Sequence, residues 1–219
     1  MSDDGAAKMQ RVTLSELEAE CKKAARGIGC PWGMAEEAGK AARWLAAHGL
    51  PGPEAMARFL STRRRCCCAE SHSRSPAAPH CPIAFGAELN DRAEMLAKGE
   101  TIEGADIAYP LIVLAFAGQA ATALKQPVRI EWPEFEAICL EAGLHLDRGG
   151  GVAAARAGDV GCAATAATSA SATRTAEAKA CDVELEAWRS LQDLAQRTYV
   201  PSNAANRIAG AGAGLADND

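Results

Sequence analysis

The chain has 219 residues, 48% of them hydrophobic but only 5% aromatic, with 23 basic against 28 acidic side chains and a formal net charge of -5. At about 150 residues per domain this length makes one large domain or two small ones, enough to bury a core, although alanine carries so much of the apolar total that burial per residue is thin. The acidic balance excludes the long-range attraction that non-specific nucleic-acid binding or an anionic membrane surface requires.

The opening MSDDGAAKMQ lacks a basic n-region and an apolar h-region, which predicts a cytoplasmic protein. Thr13 followed by Glu16 is a capping-box pattern, and Leu14, Leu17, Cys21 and Ala24 then recur at helical spacing, so a first helix is expected over 14–26 and Gly27 and Gly29 end it. Cys30-Pro31-Trp32-Gly33 makes a rigid turn into a second amphipathic helix with Met34, Ala38, Ala41 and Leu45 on one side. His48 is expected to cap its end, where partial positive charge suits the dipole. Pro53 suits the first turn of a third helix over 54–61.

Residues 62–80 have no period and predict an exposed, flexible loop. Cys66, Cys67, Cys68, His72, His80 and Cys81 offer zinc-ligand atoms, but contiguous cysteines diverge and the histidines are too far apart to define a tetrahedron, so no metal is expected. The nine cysteines are odd in number and irregularly spaced, which predicts reduced thiols. Cys30 and Cys81 sit before prolines at element entries where a thiolate gains support, and their bland reading is as small buried hydrophobes.

A short helix is expected over 90–98, followed by a buried strand built from Ile107 and 111–116 and then a small-residue helix or turn. This apolar run is interrupted by Pro110, Gly118, Gln119 and Thr122, and reads as core, not as a membrane span. Val128, Ile130 and Trp132 alternate with charged residues, Pro133-Glu134 turns the chain, and strands over 135–140 and 144–146 complete an antiparallel meander. Residues 149–180, rich in Gly, Ala, Ser and Thr, predict a flexible connector or a poorly specified strand plus loop. A last amphipathic helix is expected over 182–196, with Asp182 as its cap.

Two segments carry more polar and aromatic chemistry than packing needs. In the first, Trp32 opens a helix whose early turns hold Glu36 and Glu37, explained either by the helix dipole or by general-base work. In the second, Arg197, Tyr199, Ser202, Asn203 and Arg207 precede Gly210, Gly212 and Gly214, whose backbone N–H groups can form an anion nest. Here the competing reading is a flexible Gly-rich tail over 210–219.

Three blocks, KAARGIGCPWGMAEEAGKAARWLAAHGLPG, CPIAFGAELND and WRSLQDLAQRTYVPSNAANRIAGAGAGLADND, resemble an uncharacterised bacterial family, DUF3726. The resemblance implies no established activity and directs attention to the outer blocks. The opening helices are also similar to those of the type-2 malate/lactate dehydrogenases, but His48-Gly49-Leu50-Pro51 stands where that family's Ser-His-Gly motif would be, leaving hydride transfer without an acid/base.

The expectation is a single α+β domain over 1–219, with a helical N-terminal part, a central antiparallel sheet and a C-terminal helix returning to the core. Its expected role is to bind a small anionic metabolite bearing a carboxylate or phosphate, as an enzyme or an accessory to one. Trp32, Arg197, Tyr199, Ser202, Asn203, Arg207, Gly210, Gly212 and Gly214 are the ligand candidates, and Glu36, Glu37 and Tyr199 the catalytic ones. No cofactor is assigned, no nucleic-acid or membrane partner is expected, and a homo- or hetero-oligomer is compatible. The alternative class is a protein-interaction subunit using its Trp-bearing helices.

Overall fold

Thr13 closes a reciprocal cap: its hydroxyl accepts the Glu16 N–H at 3.1 Å while Glu16 accepts the Thr13 N–H at 2.8 Å. That cap starts helix α1, Leu14–Gly27, in a computed structural model that describes residues 8–62, 79–141, 143–165 and 178–199. Helices α2, Trp32–Ala47, and α3, Gly52–Ser61, follow, with the prolines placed in the N-terminal turns where their missing N–H groups are harmless. Gly29, at φ +86°, makes the left-handed turn between α1 and α2.

Across the next described stretch come α4, Pro82–Asp91, α5, Ala93–Ala97, strand β2, Thr101–Ala108, and α6, Leu111–Leu124. The expected buried strand over 111–116 is therefore corrected: those residues form the first turns of a helix. A run apolar on every side has no period, and Pro110 at the N-cap decides for helix. The helix expected over 90–98 is also replaced, because Asn90 and Asp91 end α4 and α5 begins at Ala93.

Strands β3, Val128–Trp132, β4, Phe135–Leu140, and β5, Gly143–Gly149, form the expected meander, with Glu134 at φ +64° in its first tight turn. Trp132 stacks on Phe135 at 3.7 Å between ring centroids. The segment expected as a connector or as a strand plus loop contains a 3-10 turn, Gly150–Ala153, and strand β6, Arg156–Ala164. This strand lies between β2 and β3 in the antiparallel order β2-β6-β3-β4-β5. Its Gly, Ala and Cys residues hide the alternation that would have marked it.

Strand β1, Met9–Thr13, and strand β7, Ala180–Glu184, form a separate two-stranded antiparallel ribbon, and helix α7, Leu185–Gln196, follows directly. Asp182 is thus not a helix cap: it lies in β7 and pairs with Arg11 across the ribbon at 3.3 Å. The protein is α+β. Helix α6 packs on β3 and β4 of the sheet and on the helices α2, α3 and α4, while α4 also reaches β2 directly, and the buried apolar residues form one continuous cluster. Helix α1 lies outside these, packed against both α2 and α7.

The α1–α7 contact is a backbone contact. A Cβ added to Gly27 would stand 1.9 Å from the Leu194 carbonyl oxygen. Gly27→Ala is expected to destabilise the protein by about 1–3 kcal/mol through that overlap. Gly33→Ala, which meets nothing within 4 Å, should leave stability unchanged or raise it by up to about 1 kcal/mol. Urea unfolding of the two variants checks this, and equal effects would contradict the packing.

Candidate functional site

The C-terminal turn of α1 draws two of the expected segments together. On one side, the Lys22 ammonium and Arg26 guanidinium lie 5.5 and 4.6 Å from the centre of the Trp32 ring, which is 64% exposed. On the neighbouring side, Tyr199 lies near enough to Lys23 to raise its pKa from the ordinary value, and Gly27 faces Leu194 and the Cβ of Arg197. Residues 22 and 26 share one helical face and 23 and 27 the adjacent one. Trp32 and Tyr199, 55% exposed, therefore flank the same end of α1.

The charges there are unevenly satisfied. Lys22 donates to Glu36 at 2.7 Å, and this ammonium holds the Glu36 carboxyl below its ordinary range. Glu37 pairs with Lys40 at 2.8 Å, so both acids are committed to cations on the second turn of α2, beyond its N-terminal dipole. Their surface exposure makes these pairs worth little to stability. Arg26 donates to the Cys30 carbonyl, and among the described residues no carboxylate pairs with it. Pro31 gives α2 no side-chain cap, so no capping side chain satisfies the first-turn N–H groups of Trp32, Gly33 and Met34. Lys22 and Arg26 were not singled out from sequence, although their four-residue spacing ahead of the Pro31-Trp32 turn is the signal that places them together. Ser202, Asn203, Arg207, Gly210, Gly212 and Gly214 lie outside the described residues, as do Cys66, Cys67, Cys68 and His72.

Neither of the two main clefts lies at this end. One, of about 600 Å³, opens over the sheet beside Glu103, Glu131, Trp132 and Asp159. The other, of about 670 Å³, lies between the α2–α3 turn and the β1–β7 ribbon and is lined by His48, Glu54 and Cys181 among others. His48 ends α2 as expected, but it is 5% exposed and its ring stacks on Trp44 at 3.9 Å. Its Nδ1 lies 2.7 Å from the Trp44 carbonyl, which can only accept, so the proton sits on Nδ1. Burial lowers the His48 pKa from its ordinary 6.5, with the Trp44 bond opposing by less. The imidazole is accordingly neutral at pH 7, and the cap works by hydrogen bonding, not by the charge expected from sequence.

Burial also pushes the thiols of Cys21, Cys139 and Cys162 up, and that of half-buried Cys181 in the same direction. Cys30 and Cys81 are buried as well, as their bland reading expects. Trp44 is partly buried against the core and lies twelve residues along α2 from Trp32, about 18 Å at 1.5 Å per residue, so the two tryptophans form no common patch.

Residues 12–91 match the model of a family described as a protein of unknown function, DUF3726. The resemblance is thereby shown for the last residues of β1 and for α1 to α4, which include Trp32, Glu36, Glu37, His48 and Glu54. Arg197 and Tyr199 lie beyond the matched stretch. No curated protein matches the chain. No solved structure matches it.

The lowered His48 pKa means that the unfolded chain binds more protons than the folded one between the folded value and 6.5. The stability that His48 contributes is therefore complete above that window and is lost as pH falls through it. Melting temperature should drop from pH 7 toward pH 5, and His48→Asn, which keeps a donor for the Trp44 carbonyl, should lose that component. Superimposable pH profiles for the two proteins would contradict the assignment.

Proposed function

We propose that this protein binds a small metabolite bearing a carboxylate or phosphate at the end of α1, as an enzyme or as an accessory to one. The observation that carries the reading is Arg26: its guanidinium lies over the exposed face of Trp32, beside the uncapped N-terminus of α2. Unsatisfied helix N–H groups and a guanidinium fork are complementary to a planar or tetrahedral anion, and the indole offers an apolar face for its carbon body. Arg197 and Tyr199, which follow α7, extend the site around the helix end.

A cytoplasmic location fits this role, and no described helix is long and apolar enough to cross a membrane. Neither nucleic acid nor a membrane is a partner in this reading, and self-association is compatible with it. The second reading is a protein-interaction subunit, favoured by the exposure of Trp32 and Tyr199 around one helix end, an arrangement suited to interface anchors.

The test is a thermal-shift panel of carboxylates and phosphates, with Arg26→Met removing the guanidinium while keeping the stem. A ligand at a hundredfold its Kd should stabilise the wild type by about 2.7 kcal/mol, and Arg26→Met and Arg197→Ala should each reduce the shift. A panel with no active member, or full retention of the shift in Arg26→Met, would overturn the reading. Concentration-dependent association abolished by Trp32→Ala would favour the interaction subunit.

A further inference from the structure

We propose that the cleft between the α2–α3 turn and the β1–β7 ribbon binds a small organic cation, an alkylammonium or guanidinium group on a short apolar body. The cleft encloses about 670 Å³ and has apolar walls from Met9, Ala47, Leu50 and Pro53. Its polar feature is Glu54, only 8% exposed. One carboxylate oxygen accepts the Glu184 backbone N–H at 3.0 Å. Glu54 lines the cleft, and among the described residues its carboxylate has no second hydrogen-bond partner.

The neighbouring carboxylates have cations of their own: Asp182 pairs with Arg11 at 3.3 Å and Glu184 with Arg58 at 3.7 Å. Among the described residues Glu54 has no ion pair. Its position in the first turn of α3 supplies partial positive charge from the helix end, but a carboxylate more than nine-tenths buried with one neutral N–H donor still lacks a counter-charge. The other titratable lining groups leave room for a cation, because burial keeps His48 neutral and Cys181 a thiol. An ammonium or guanidinium group in the cleft supplies that counter-charge by a charge-assisted bond to Glu54, and its methylenes suit the alanine and proline walls. An anion of the same shape meets the unpaired Glu54 carboxylate instead.

This site is separate from the end of α1, and its test does not depend on the anion reading. The probe is n-butylammonium chloride, with butan-1-ol, sodium butyrate and potassium chloride as neutral, anionic and ionic-strength controls. Backbone amide shifts of the full chain should move with butylammonium at residues 46–54 and 180–184, and not with the controls. Glu54→Gln keeps a carbonyl acceptor for the Glu184 N–H and should weaken binding at least tenfold. Ala47→Leu narrows the cleft without touching the charge and should weaken it too, which keeps the test decisive if Glu54→Gln does not fold. Equal responses to butan-1-ol, no response to butylammonium, or unchanged affinity in a folded variant would overturn the proposal.

Discussion

Helix α6 has no polar side, and the arrangement of the molecule follows from that. Leu111, Ile112, Val113, Leu114 and Phe116 are all essentially inaccessible, so the helix must be covered in every direction. A sheet supplies one cover through β3 and β4, and α2, α3 and α4 supply the other. The polar Gln119 is accommodated by the Asn90 amide, which donates to it at 2.8 Å from α4. Because burial is the dominant favourable term in folding, α6 contributes the main link between the two layers, with α4 and α5 adding direct contacts to β2.

The two candidate sites belong to a further layer, laid over the helices that cover α6. Helix α1, helix α7 and the β1–β7 ribbon pack on α2 and α3 through buried side chains such as Leu17, Val183 and Leu191, and at their closest approach through glycine and backbone. Gly27 admits the Leu194 carbonyl, and a Cβ on Gly39 of α2 would stand 2.6 Å from the Glu18 carbonyl oxygen of α1. Glu54 ties α3 to the junction between β7 and α7 through a single hydrogen bond. The rims of these seams bring helix ends, charged stems and exposed aromatics together, a setting in which ligand sites arise.

Much of the first half of the fold was legible because its signals are local. The Thr13–Glu16 cap, the Pro53 start and the 3.6-residue spacing of Leu14, Leu17 and Cys21 act within single helices, as the Pro133-Glu134 turn does within its hairpin. What escaped the sequence depends on partners far along the chain. Strands β1 and β7 are each five residues long and pair across an interval of about 170 positions, as Arg11 and Asp182 show. Strand β6 has too many small residues to display alternation, and α6 too few polar ones to display a period. The same distinction governs the sites: Trp32 announced itself by its Gly/Pro setting, whereas Arg26 and Glu54 acquire their meaning only from tertiary neighbours.

Native-state hydrogen exchange tests the central claim, that α6 holds the two inner layers together while the outer layer is less tightly bound. The amides of Ala115 to Ala121 should exchange only through global unfolding, with an opening free energy equal to that from urea denaturation, and those of α7 and the β1–β7 ribbon should open at distinctly lower free energy. Exchange of α6 through a cheaper, sub-global opening while α7 or the ribbon remains protected would contradict the account.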